Sequence, residues 1–183
     1  MILPDLLAPG LDVVFCGTAV GAESARRRAY YAGPGNAFWP TLHRVGLTPH
    51  QLRPEEYEQL LGLGIGLTDL AKEVSGNDDI LSHRHFDCDR LRAIIAEYRP
   101  RIVAFTGKRA AQQFVGRPVD YGCLVEQLGD TRLFVLPSPS GAACRYWSIA
   151  PWQALAQLRG GVCGLARPPV SRPLEAGTGD AKG

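Results

Sequence analysis

No two of the five cysteines (Cys16, Cys88, Cys123, Cys144 and Cys163) stand in Cys-x-x-Cys spacing, and the count is odd. That argues against a disulfide framework, a zinc site and an iron–sulfur cluster, so no metal is expected. Reduced thiols in a cytoplasmic protein are the simplest reading. No stretch reaches the roughly 18 apolar residues of a membrane span. The opening MILPDLLAPGLD lacks a basic start and a long apolar run, so neither a signal peptide nor a membrane partner is expected. An excess of one charge is also missing: 20 Lys and Arg against 18 Asp and Glu leave +2. Any nucleic-acid site must therefore be a local patch. Gly17 and Gly21 are four apart, but no Gly-Lys-Ser/Thr follows, which excludes a P-loop. The four histidines fall in no Ser-His-Asp pattern, and there is no internal repeat.

What is present fits one globular domain: 183 residues, 45% apolar and 21% charged. Three apolar runs with β-branched residues read as buried strands: Leu11 to Cys16, Arg101 to Gly107 and Arg132 to Pro137. Gly64 to Leu70 reads as a shorter strand entering a loop. Helical spacing predicts helices over 36–45, from Glu55 to Leu61 behind Pro54, over 88–98, over 108–115 and over 147–158. The segments 17–35 (a loop with room for a helical turn), 74–86 and 138–144 read as loops. Strands alternating with helices predict an α/β fold, a three-layer αβα sandwich around a mostly parallel sheet. The domain spans residues 1–163. The last twenty residues, rich in Pro, Gly and Ala, read as a disordered tail over 164–183.

Ligands of open parallel sheets bind beyond the carboxyl ends of the strands. The segments there are Gly17-Thr18-Ala19-Val20-Gly21, Thr68-Asp69, Thr106-Gly107-Lys108 and Ser138-Pro139-Ser140-Gly141. Asp69 ends an apolar stretch, where a carboxylate faces either a cleft or a helix N-terminus that it caps. Tyr30 and Tyr31 offer aromatic faces for stacking a base, or for ordinary packing. Ser138, Ser140 and neighbouring N–H groups suit phosphate oxygens. Arg26, Arg27 and Arg28 form either a phosphate contact or a solvated surface run. His83-Arg84-His85 is either a metal or phosphate patch or a solvated loop.

From about Asp12 to Leu158 the chain resembles the mismatch-specific uracil/thymine DNA glycosylases of the uracil-DNA glycosylase superfamily. Five ordered segments carry the resemblance: Val13 to Gly17, Tyr31-Ala32-Gly33-Pro34-Gly35-Asn36-Ala37-Phe38-Trp39, Gly64 to Leu70, Tyr98 to Lys108, and Val135 to Ser140. The resemblance implies a monomeric DNA repair enzyme that acts on uracil-containing DNA, needs no cofactor, flips uracil out (G·U mismatches included) and leaves an abasic site. The family's usual first motif is Gly-Ile-Asn-Pro-Gly, whose Asn helps to activate water. Here Ala19 occupies that place, and Asp69 is the candidate replacement. Gly17, Thr18, Ala19, Tyr31 and Asn36 are implied to bind the base. Ser138, Ser140, Gly141 and Arg145 are implied to bind DNA, with Arg145 as wedge. The alternatives are a non-catalytic reader of uracil or abasic DNA, a glycosylase for another deaminated base such as hypoxanthine, a His83 or His85 adduct with the sugar, and a nucleotide-handling enzyme outside DNA repair.

Overall fold

The computed structural model describes residues 2–76 and 83–162, so the expected tail over 164–183 lies outside the described residues. Among the described residues, five strands form one sheet: β1 (Val13–Val20), β2 (Ile65–Ser75), β3 (Ile102–Phe105), β4 (Gly122–Leu128) and β5 (Thr131–Val135). Their order is β2-β1-β3-β5-β4, parallel except for β4, which runs antiparallel to β5. Five α-helices of the described residues accompany them: α1 (Ala22–Arg27), α2 (Phe38–Arg44), α3 (Cys88–Tyr98), α4 (Lys108–Val115) and α5 (Ala150–Val162). None of the described helices is long and apolar enough to cross a membrane.

Side chains alternate across a strand, so each inner strand feeds two cores. Val13 and Phe15 of β1 point to one face and pack with Phe38 and Leu42 of α2 and Trp152 and Leu155 of α5. Val14 and Cys16 point to the other and pack with Leu91 and Ile95 of α3 and Ala111 and Phe114 of α4. This is the expected αβα sandwich. Burial on both faces is why the inner strands read as unbroken apolar runs.

The elements depart from expectation at the edges. β1 continues through Val20, where a loop was expected from Gly17. β2 runs on to Ser75 and contains a large bulge: Ala19 pairs with Ala71 and Val20 with Ser75, so Lys72, Glu73 and Val74 are extra residues with no partner on β1. Residues Pro54–Leu63 and Gly141–Tyr146 wind as 3-10 helix, the first where an α-helix was expected and the second where a loop was. The last helix starts at Ala150, after the expected Trp147. β4 was not expected at all. It is an edge strand of alternating exposure whose outward face includes the 93% exposed Val125, so its sequence shows no polar alternation.

An N-terminal arm follows the free edge of β2. Leu6 bridges to Leu67 in antiparallel fashion, and the Ile2 N–H donates to the Lys72 carbonyl. The connection that leaves β1 runs to β2 on one side, and the one that leaves β3 runs to β4 and β5 on the other, so the chain reverses direction between the neighbours β1 and β3. A crevice opens at such a point beyond the carboxyl ends of the strands.

Candidate active site

The crevice is a cleft of about 600 Å³. Its floor is the end of β1, from Gly17 to Gly21, with Asp69 of β2 and Thr106 after β3. One wall is the segment from Tyr30 to Asn36. The other is Ser138 to Ala143, together with Gly107, Lys108 and Arg109. The structure thus gathers Gly17, Thr18, Ala19, Tyr31, Asn36, Asp69, Ser138, Ser140 and Gly141 around one space. Arg145 is exposed on the 3-10 turn and does not line the cleft.

Asp69 is buried, neither a helix cap nor a solvated loop residue. Its strand neighbour in register is Gly17, and a Cβ on Gly17 would overlap Asp69 Oδ1. Glycine is thus what lets the carboxylate reach the cleft floor. Asp69 Oδ2 has no hydrogen-bond partner among the described residues. Burial pushes its pKa up to about 6; the Lys72 ammonium opposes that rise, and the Asp5 carboxylate adds to it. Lys72 Nζ lies 3.6 Å from Asp69 Oδ2. On the far side, Arg90 of α3 donates to the Asp69 backbone carbonyl and to Thr68 Oγ1, and pairs with Asp5.

Tyr31 has φ of 53°, a left-handed conformation that is rare for a tyrosine. Its ring stacks on Phe38 with centroids 3.8 Å apart and planes at 16°. Its hydroxyl meets Thr106 Oγ1 at 3.1 Å. One face of the ring is therefore covered, and the side chain is braced across the cleft between α2 and the end of β3. Tyr30 turns into the core: its hydroxyl donates to the Pro4 carbonyl, and its ring packs against Tyr57. Asn36 Oδ1 accepts the Phe38 N–H at 2.9 Å and so starts α2. The two walls also touch, for Ala37 N donates to Pro139 O at 2.8 Å. A Cβ on Gly141 would stand 3.1 Å from the Pro34 carbonyl oxygen.

Arg26 and Arg27 belong to α1. They pair with Glu23 and Glu55, exposed ion pairs that a phosphate can displace at little cost. His85 does not line the cleft, and the His83 side chain lies outside the described residues. Sequence reasoning missed two residues here, Lys72 and Asp5. Lys72, three positions after Asp69, falls on the opposite face of a regular strand, and Asp5 lies far away in the sequence; Thr106 was placed at a strand end beside the cleft but given no role of its own. The Pro4-Asp5 pair and the Lys at the end of an apolar run carry no signal on their own.

A family model described as the uracil DNA glycosylase superfamily matches residues 4–157. Among solved structures, the chain is similar to the solution NMR structure of a candidate uracil DNA glycosylase from Methanosarcina acetivorans. The TM-score is 0.59 and the identity 22%, over 86% of this chain and 96% of that one. At that identity the likeness is one of fold.

Proposed function

The chain belongs to the uracil DNA glycosylase superfamily, and from that premise we propose that it is a mismatch-type, monofunctional uracil DNA glycosylase that uses Asp69 where its relatives use an Asn in the first motif. The observation that supports this most is the Asp69 carboxylate: buried, on the cleft floor, and with one oxygen unpartnered among the described residues.

In this reading deoxyuridine leaves the duplex, at an unstacking cost of a few kcal/mol that is least at a mismatch such as G·U. The exposed face of Tyr31 stacks on the base. The backbone N–H of Tyr31 and the side-chain NH2 of Asn36 offer donors to the uracil carbonyls. The C1′–N1 bond breaks, its electron pair leaves with uracil as an anion, and positive charge develops on the sugar. The Asp69 carboxylate stabilises that charge and accepts a proton as water adds to C1′. The products are free uracil and an abasic site. Ser138 and Ser140 hold phosphates beside the lesion, and Arg145, outside the cleft, contacts the duplex at the vacated position.

Gly141 joins the two walls by close backbone approach. Gly141→Val is expected to force them apart and weaken binding to a uracil-containing duplex about tenfold, since overpacking strain is typically about 1–3 kcal/mol. Fluorescence anisotropy at fixed salt reads this, because affinity for DNA depends steeply on salt. Unchanged affinity would separate the Pro34–Gly141 contact from DNA binding.

The reading as a whole is tested with labelled duplexes carrying uracil, thymine or hypoxanthine opposite guanine, alkali cleavage reporting the abasic site. Uracil release is the expected result. Binding without release of any base would make the protein a reader of damaged DNA. Faster release of hypoxanthine would favour a purine-sized pocket, for which Ala19 and the open space at Gly33 leave room.

A further inference from the structure

The bulge in β2 buries the Lys72 ammonium behind Asp69. An ammonium has three protons to donate. Its three close partners are Asp5 Oδ1 at 2.7 Å, the Tyr30 hydroxyl at 2.8 Å and the Leu3 carbonyl at 3.0 Å. Asp69 Oδ2, at 3.6 Å, is near enough to feel the charge and too far for a hydrogen bond. The Tyr30 proton goes to the Pro4 carbonyl, so the tyrosine does not donate to Asp69 either. The second oxygen of Asp5 is taken by Arg90, whose other nitrogen bonds the Asp69 main chain and not its carboxylate. Among the described residues, neither of the two cations near Asp69 thus donates to its side-chain oxygens at hydrogen-bond distance, and the N-terminal arm supplies Asp5 and the Leu3 carbonyl as acceptors instead.

We propose that Asp5 and Lys72 are positioning residues for Asp69: Asp5 draws the protons of Lys72 aside, so that the ammonium lends Asp69 its charge and leaves the carboxylate lone pairs for water. The proposal deepens the function proposed above and rests on Asp69 being the base there. A buried carboxylate without a cation would stay protonated at neutral pH, and one bonded directly by a cation would be a poor base. The observed arrangement is intermediate. The other titratable groups facing Asp69 are Cys16 of β1 and Tyr30 and Tyr31 of the cleft wall, whose pKa values burial raises, so they stay neutral. Asp5, Lys72 and Arg90 are left as the charges that set its ionisation.

The test is single-turnover uracil release from a G·U duplex between about pH 5 and pH 9, for wild type, Lys72→Met, Asp5→Asn and Asp69→Asn. Removing a cation or an anion at this range moves a carboxylate by about one pH unit or more. Lys72→Met is expected to move the acid limb of the profile upward by about that much. Asp5→Asn is expected to move it downward, with a lower plateau, because a freed Lys72 proton then bonds Asp69. A residue that only holds the fold would not give opposite shifts. Limbs that stay in place, or move the same way, while Asp69→Asn is inactive would overturn the proposal. Should Lys72→Met not fold, the sign of the Asp5→Asn shift decides alone. Release by Asp69→Asn at the wild-type rate would sink the Asp69 reading itself, and this proposal with it.

Discussion

Asp69→Asn is expected to lower single-turnover uracil release by at least about 10²-fold, the lower range for losing a positioned general base, and by more if the lost charge also served the sugar cation. The same substitution is expected to make the protein more stable. The folded-state pKa of about 6 lies above the ordinary value of 3.8. A group raised in this way favours folding below its unfolded pKa and loses that contribution as pH rises through 6. At pH 7 wild type has lost it, about 3 kcal/mol for a shift of about two units. Asparagine, which never ionises, does not lose it. The midpoint of thermal unfolding should therefore rise by several degrees at pH 7, and the difference should vanish below about pH 4. Affinity for uracil-containing DNA should change little, because the lost charge acts on the reacting sugar. Calorimetry at pH 4 and pH 7 checks the stability claim. A variant no more stable than wild type at pH 7 would mean that Asp69 is better solvated than its burial indicates.

Gly17→Ala is expected to be nearly as damaging to the reaction and opposite in its effect on stability. Gly17 faces Asp69 across the β1–β2 ladder, and the added methyl would occupy the space of Asp69 Oδ1, with Thr106 Oγ1 only 3.7 Å away. The carboxylate must then move. A displacement of about 1 Å at a reacting centre is worth roughly 10²-fold in rate. Overpacking at this buried position of the sheet should add a stability loss of about 1–3 kcal/mol. The paired measurement is base release and thermal midpoint for both variants: Asp69→Asn slow and hotter, Gly17→Ala slow and cooler. A Gly17→Ala protein with the wild-type rate would show that Asp69 can move without consequence, which the proposed mechanism does not allow.

The three inner strands were legible because burial on both faces demands apolar residues at every position, as in Val13-Val14-Phe15-Cys16 and Ile102-Val103-Ala104-Phe105. The strand ends then placed Asp69 and the Ser138 loop beside one another by topology alone. β4 was hidden because an antiparallel edge strand needs only one apolar face, and Val125 on its outer face blurs the alternation. The end of β1 was taken for a loop because Gly17 and Gly21 look like turn residues. In the sheet Gly17 is instead a place where a side chain would meet Asp69. Lys72 and Asp5 were out of reach for a different reason. A bulge breaks the period-two rule that assigns side chains to faces, and the arm along β2 joins residues more than sixty positions apart. The covered face of Tyr31 depends on a left-handed backbone, which a tyrosine does not advertise in sequence.

The most direct test of Asp69 as the catalytic group is the rate of uracil release from a G·U duplex in single turnover, followed from pH 5 to pH 8 in wild type and Asp69→Asn. Asp69 acting as its carboxylate predicts a wild-type rate that rises with one ionisation near pH 6 and levels off above it, and a residual rate in the variant that is at least about 10²-fold lower at pH 8 and flat across the range. A variant within tenfold of wild type at pH 8, or one that keeps the same ionisation, would contradict it and place the water elsewhere in the cleft.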